Sequence, residues 1–578
     1  MKEYIITSAD KGQYDDITLK LQQVLADCRF SDEDKIIRFE KGVYHFYWDS
    51  AEERKVYASN TDTATSPDIR SAINIEGIRN LTIDGLGSKF IMHGRMIAVR
   101  CFESENINLR NFSWDFPTAG TFEMHIESVG KYYVDYYIPK NLQWKIDKGN
   151  IRWFEKSVFT SEEYWHVYGH SNSHCVVGFN RKNGNVSRYP ISQSPLAYRL
   201  RLKRTGENTL RVYYLKLVDT SLFNEDMSFE FCPNYKRLCT GGFLNESKEI
   251  SLENINIRYM HGFAFLTQMC ENVSFRNCNF TPDENSDRIC TSYADHLHFS
   301  GVKGKVNIEN CTFANAHDDP INIHGTFTRV KKAIDSKTLI LEYVHNQQQV
   351  FQQYHKGDKV IFCKRENLEA YGDEREFSVE SVVNPLCEGL GKQEMKVTFS
   401  EELPDILREP KAYAVENVTY TPEVYIGSCR FYSIPTRGIL CTTRKKVVIE
   451  NNIFDGLTMA SIYLSNDCNN WYESGSIKDM TIRGNTFYIK KTPHKGVKSA
   501  VYIDPIVTKP ETVNKGVHSS IVIENNLIQL EYDSAVNGKY TDGLIIRNNK
   551  IIRSESYTGE VFELSNCTGT IVENNDIK

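Results

Sequence analysis

Val448-Ile449-Glu450-Asn451-Asn452 has four further copies: Thr481-Ile482-Arg483-Gly484-Asn485, Val522-Ile523-Glu524-Asn525-Asn526, Ile545-Ile546-Arg547-Asn548-Asn549 and Ile571-Val572-Glu573-Asn574-Asn575. Their last residues are 33, 41, 23 and 26 positions apart. Earlier, Cys takes the same slot in Arg276-Asn277-Cys278, Glu309-Asn310-Cys311 and Gly427-Ser428-Cys429. Leu252-Glu253-Asn254-Ile255, Ile83-Asp84-Gly85-Leu86 and Leu109-Arg110-Asn111-Phe112 carry the frame toward the N-terminus. Periods in the twenties with β-branched alternation mean stacked coils. Leucine-rich repeats need regular Leu positions and a helical half, which are missing. Asn adopts left-handed dihedrals readily and stacks on its own copy through side-chain hydrogen bonds. The expected fold is therefore all-β: a right-handed parallel β-helix that buries Ile, Val, Phe and Cys.

Two stretches interrupt the repeat. Residues 121–245 contain Tyr132-Tyr133-Val134-Asp135-Tyr136-Tyr137 and Leu210-Arg211-Val212-Tyr213-Tyr214; residues 330–418 contain His355-Lys356-Gly357-Asp358-Lys359-Val360-Ile361-Phe362. Loops of such length rarely lack structure, so both read as inserted small antiparallel β-barrels. The coils then occupy 1–120, 246–329 and 419–578. After Asp15-Asp16, the residues Ile17, Leu19, Leu21, Val24 and Leu25 predict an amphipathic helix over the open end of the stack. Strands are expected at Ile36-Ile37-Arg38-Phe39 and Gly42-Val43-Tyr44.

Composition narrows the functional classes. Among 578 residues, charged residues make 25%, aromatics 12%, and the net charge is −6. That excludes a disordered chain and a strongly basic nucleic-acid binder. No run reaches the roughly 18–20 apolar residues of a membrane helix. The 15 Cys are odd in number and without CxxC pairs, and several share the repeat slot, so they read as reduced, buried hydrophobes.

The chemistry concentrates between Tyr293 and Gly325. Asp295-His296-Leu297-His298-Phe299 and Asp319-Pro320-Ile321-Asn322-Ile323 are 24 residues apart (319 − 295), one coil. At about 4.8 Å per rung, Asp295 and Asp319 should be neighbours on the outer face, with Asp318 pointing across a gap. Asp319 lies eight residues past slot Cys311, and eight past slot Cys429 is Arg437, which should sit one rung above. Eight past Asn452 is Ala460, which brings Tyr463 close. Clustered carboxylates raise at least one pKa and supply the acid and base of glycosidic cleavage. The bland alternatives are turn-capping aspartates or a calcium site. His296, His298, His317 and His324 alternate in direction, so core or sugar-contact roles fit better than a metal centre; His296, His317 and Tyr463 are taken as substrate contacts. Arg437 offers a donor fork for sugar hydroxyls, or an ion pair to the cluster.

Tyr293-Ala294-Asp295 followed by His317-Asp318-Asp319-Pro320-Ile321-Asn322-Ile323-His324-Gly325 resembles the three-aspartate site of polygalacturonase-type β-helix glycosidases. Over essentially its whole length the chain is similar to the bacterial α-1,3-galactosidases of glycoside hydrolase family 110, of the kind found in Bacteroides-type gut glycan degraders. The resemblance implies a β-helix interrupted by small barrels. It also implies an inverting exo-hydrolase that removes terminal α-1,3-linked galactose from blood group B and, in one subgroup, linear galactosyl glycans. It implies Asp318 as general acid, Asp295 and Asp319 as the pair that activates water, and no metal or cofactor. Inversion calls for acid and base roughly 6.5–9.5 Å apart. Partners would be galactose-terminated oligosaccharides or glycoconjugates, with no nucleic acid and no spanning segment; a homodimer is compatible. No apolar stretch follows Met1-Lys2-Glu3. The family's exported habit implies a periplasmic or cell-surface protein with its leader removed, and a cytoplasmic one if Met1 is the native start. A polygalacturonase, a polysaccharide lyase and a non-catalytic glycan-binding β-helix are the alternatives.

Overall fold

The computed structural model describes residues 1–169, 176–232, 236–492 and 496–578. Its body is a 33-stranded, chiefly parallel sheet wound into a β-helix. The repeat motif splits into two jobs. Its penultimate residue takes the left-handed conformation that turns the corner: Asn277, Asn310, Ser428, Asn451, Asn525, Asn548 and Asn574 have φ between 53° and 57°, and Gly484 has 64°. Asn tolerates this region better than most side-chain residues. The slot residue itself points inward. Cys278, Cys311 and Cys429 are buried in one line, with Cys311 N donating to Cys429 Sγ at 3.5 Å. Asn452 continues the line, its Oδ1 accepting from Cys429 N at 2.8 Å.

From there an amide ladder runs to Asn575. Each Nδ2 donates to the next Asn Oδ1 at 3.0–3.1 Å and to a backbone carbonyl at 2.9–3.0 Å. Two residues past the slot, Phe280, Phe313, Phe431, Phe454 and Phe487 stack with centroids 4.7–5.0 Å apart and planes within 10°.

The helix Thr18–Arg29 lies over the open end, burying Leu21, Val24, Leu25 and Cys28. Ile17 is buried too, but Leu19 faces solvent, because it falls on the opposite side of the helical wheel. Asp16 Oδ1 caps the first turn by accepting from Thr18 N at 2.8 Å. Strands Lys35–Phe39 and Val43–Tyr47 form where expected, and Lys2–Ile6 adds an unforeseen parallel strand beside the first.

The insertions differ. The second is a closed six-stranded barrel from Thr328–Ala333 to Tyr413–Asn417, with its own core around Phe362, Phe377 and Phe399. The first is not closed among the described residues. It is a seven-stranded antiparallel sheet, from Phe122–Val129 to Met227–Phe231, beside a three-stranded sheet. Its inner face packs on the β-helix core instead of closing on itself. Gly242–Asn245 already pairs in parallel with the coils on both sides, so the stack resumes before residue 246.

Candidate functional site

Four strands of adjacent coils build the floor. In register, Leu297, Ile321, Ile439 and Ile462 point inward, while the next residues, His298, Asn322, Leu440 and Tyr463, form an outward row lining one cavity. Two positions before the first three inward residues stand Asp295, Asp319 and Arg437; before Ile462 it is Ala460. Their rungs follow from counting along the repeat.

The cavity has a volume of about 340 Å³, at the small end of the roughly 300–1,000 Å³ usual for small-ligand sites. Asp295, Asp318 and Asp319 each bring a carboxylate oxygen to within 4.8 Å of the others. Asp318 is thus drawn into the cluster, not set across a gap, and the nearest oxygens of the trio lie closer than the acid–base spacing expected for inversion.

Arginines partner two of the three. Arg437 forks onto Asp319, with Nε to Oδ1 at 3.0 Å and Nη2 to Oδ2 at 2.7 Å. Its guanidinium lies 5.4 Å from the Tyr463 ring. Arg237 Nη2 donates to Asp318 Oδ2 at 3.0 Å, and Arg188 Nη2 lies 3.5 Å from Oδ1. Asp295 Oδ2 instead meets His298 Nδ1 at 2.7 Å. The Asp318 side chain is 21% exposed, against 6% for Asp295 and 3% for Asp319.

The charges follow. Burial works to raise Asp318, but Arg188, Arg237 and Arg437 outweigh it and hold the carboxyl below its usual range. Burial, then Asp318, pushes Asp295 up to about 8. Burial and the two neighbouring carboxylates push Asp319 up to about 7 against the pull of Arg437. Electrostatics thus favour the ionised form on Asp318, the expected acid, and the protonated form on its buried neighbours.

Two expected substrate contacts lie elsewhere. His296 points into the core, beside the stacked Phe280 and Phe313 rings and bonded to Thr291 Oγ1 at 2.6 Å. His317 Nε2 lies 2.9 Å from Glu230 Oε1, tying the inserted sheet to the coil. Tyr463 does line the cavity; Arg437 does too, but its fork is on Asp319. Loops and the short strand Glu473–Ser474 supply walls that the repeat gives no hint of: Asn60, Arg237, Asp467, Asn470, Trp471 and Glu473. Asp467 shapes its loop by accepting from the backbone N of Asn469, Asn470 and Trp471 at 2.8–2.9 Å. Trp471, half-exposed, lies against His345 of the barrel, with ring centroids 4.7 Å apart.

Among the described residues, two side-chain groups have metal-ligand composition. The Asp trio is surrounded by three guanidiniums, which already do the electrostatic work of a cation. In the other, His298 and His324 bring their Nε2 atoms to 3.0 Å, with Glu473 Oε1 3.5 Å from His324. Two nitrogens on one tetrahedral zinc, each about 2.05 Å from it, stand about 3.3 Å apart. The closer approach fits a hydrogen bond.

No family model matches the chain. It is 31% identical over 579 residues to an alpha-1,3-galactosidase A of Bacteroides thetaiotaomicron, covering 98% of this chain and 94% of that protein. An alpha-1,3-galactosidase A of Streptomyces avermitilis is 32% identical over 589 residues, covering 98% and 90%. An alpha-1,3-galactosidase B of Bacteroides fragilis is 30% identical over 540 residues, covering 92% and 87%. Among solved structures, the A-module of an Azotobacter vinelandii mannuronan C-5 epimerase overlaps with a TM-score of 0.40 at 9% identity, covering 99% of this chain and 100% of that one. A tailspike protein of E. coli bacteriophage HK620, in complex with pentasaccharide, gives 0.43 at 10% identity, covering 99% and 65%.

Proposed function

We propose, because the chain belongs to the α-1,3-galactosidase family, that it hydrolyses terminal α-1,3-linked galactose of blood group B-type and linear galactosyl glycans, from the chain end and with inversion. The observation that carries this reading is the carboxyl trio at the bottom of a small cavity. An open β-helix face would admit a polysaccharide lengthwise. Here Asn60, Arg237 and Trp471 wall the floor, which favours one terminal sugar over an internal segment. The three arginines that would otherwise suit uronate carboxylates face Asp318 and Asp319.

Asp318, the most open carboxyl, is placed to protonate the glycosidic oxygen. Its proton comes from within the cluster: passing one from Asp319 leaves Asp319 ionised in the Arg437 fork and Asp318 neutral as the acid. Water, oriented by Asp295 and Asp319, then attacks the anomeric carbon. The tight spacing favours a second reading, since retaining enzymes hold their carboxyls at about 5–5.5 Å. Against it, Arg437 engages both oxygens of Asp319 and His298 one of Asp295, which hinders either from attacking carbon.

Proton NMR of the first product separates the two. Inversion releases β-galactose, and initial α-galactose would refute it. Asp318→Asn is expected to lose about 10²–10⁴-fold on α-1,3-galactobiose and less on nitrophenyl α-galactoside, whose leaving group needs little acid help. Equal losses would remove Asp318 from the acid role. Activity that EDTA abolishes and calcium restores would point to a lyase-like site.

A further inference from the structure

Asp295 presents a difficulty as a base, because a carboxyl that already holds a proton cannot take another and stay neutral. Its surroundings resolve this. Asp295 Oδ2 meets His298 Nδ1 at 2.7 Å, His298 Nε2 meets His324 Nε2 at 3.0 Å, and His324 Nδ1 meets the Gly325 carbonyl at 2.7 Å. Both rings are buried.

A carbonyl only accepts, so His324 carries a hydrogen on Nδ1. One hydrogen lies between the two Nε2 atoms, and one between His298 and Asp295. With both rings neutral a single arrangement remains. His324 accepts at Nε2, His298 donates from Nε2 and accepts at Nδ1, and Asp295 holds the third hydrogen on Oδ2. Burial above all, and then His324 and Arg237, hold His298 well below the usual imidazole range, consistent with a neutral ring. The charged groups facing the chain are Arg237, Arg437, Asp318 and Glu473.

We propose that His298 and His324 form a proton relay that lets Asp295 act as a base while already protonated. This rests on the hydrolase reading above. Asp295 lines the cavity, and its Oδ1 has no protein hydrogen bond among the described residues. As water attacks, one O–H bond breaks and its proton goes to Asp295 Oδ1. The Oδ2 proton passes to His298 Nδ1, and the His298 Nε2 proton to His324 Nε2. The water's electron pair forms the new bond to the anomeric carbon. The old glycosidic pair leaves with the sugar oxygen, which takes the acid's proton. His324 ends as an imidazolium 3.5 Å from Glu473, a cavity-lining carboxylate with 20% of its side chain exposed, which returns the proton to solvent. Asn60 Nδ2 steadies that carboxylate at 3.3 Å. His298 and His324 are thus positioning residues, and Glu473 is the exit.

The test uses the full chain and has two arms. Ring-15N histidine spectra of the resting enzyme near pH 7, assigned with His298→Gln and His324→Gln, should show opposite tautomers: His298 as Nε2–H and His324 as Nδ1–H. Hydrogen on His298 Nδ1, or a doubly protonated ring, would overturn the relay. On α-1,3-galactobiose, His324→Gln should lower kcat about 10²-fold with KM within about threefold, and Glu473→Gln should narrow the pH profile. Unchanged kcat and pH profile in His324→Gln would overturn the relay equally. If the wild-type protein cleaves no α-galactoside, it is the hydrolase reading that fails, while the ring-nitrogen arm still decides the resting proton arrangement.

Discussion

Asp295→Asn should stabilise the protein while abolishing turnover. Unfolded, this carboxyl titrates near 3.8; folded, it is pushed up to about 8 by burial and then by Asp318. Below pH 3.8 both states hold the proton and folding carries no penalty. As pH rises the unfolded chain releases a proton that the folded protein keeps, so native stability falls by about 1.4 kcal/mol per pH unit until pH 8, where it levels off. At pH 7 the loss is on the order of 4 kcal/mol. Asparagine is neutral throughout, and its Nδ2–H can donate to His298 Nδ1 as the protonated acid does. Unfolding entropy of about 2.1 cal/mol/K per residue over 578 residues gives about 1.2 kcal/mol/K, so 4 kcal/mol moves the midpoint by about 3 °C. Scanning calorimetry of both proteins should show near-equal midpoints at pH 4 and a variant about 3 °C higher at pH 7. Titrations common to both chains cancel in that difference. A gap that does not widen between pH 4 and pH 8 would refute the buried, protonated Asp295.

Among the described cysteines, native thiol titration should label exposed Cys387 first and Cys567 more slowly, leaving Cys278, Cys311 and Cys429 unreactive until denaturant is added; rapid labelling of the slot cysteines would contradict the stack. Asn485→Ala deletes four ladder hydrogen bonds and orphans the Asn452 N–H, a loss of about 2–4 kcal/mol, read by hydrogen exchange as faster opening of the neighbouring coils with the barrel unaffected. Trp471→Ala removes the half-exposed indole from the cavity wall and should raise KM about tenfold, or roughly 1.4 kcal/mol, with kcat nearly unchanged; a kcat defect alone would mean that Trp471 positions the reacting groups and does not hold the sugar.

What could be read from sequence tracks what the repeat controls. Parallel coils keep register, so counting eight residues from the slot places Arg437 over Asp319, although a whole barrel lies between them in the chain. Parity fails where the chain is still turning. His296 and Leu297 both point inward because the strand begins only at Leu297, so His298, not His296, reaches the cavity. Arg188, Arg237, Asn60, Trp471 and Glu473 come from an insertion, from loops or from a short antiparallel strand, where no period ties a residue number to a place in space. The open first insertion was illegible for a related reason. Alternation marks its strands, but whether a sheet closes or lies on a neighbour depends on long-range packing.

The coils are indifferent to the length of the excursions between them. Leu252 pairs with Leu109, 143 residues earlier, and Phe431 with Phe313, 118 residues earlier, as neatly as coils joined directly. Walls and cavity floor are therefore separable parts: a graft that exchanges the barrel for another module re-enters on the same rung and leaves Asp295, Asp319 and Arg437 in register. A lineage built this way can change which glycan it admits by trading side modules, and a protein engineer can do the same, starting with the barrel segment that buttresses Trp471.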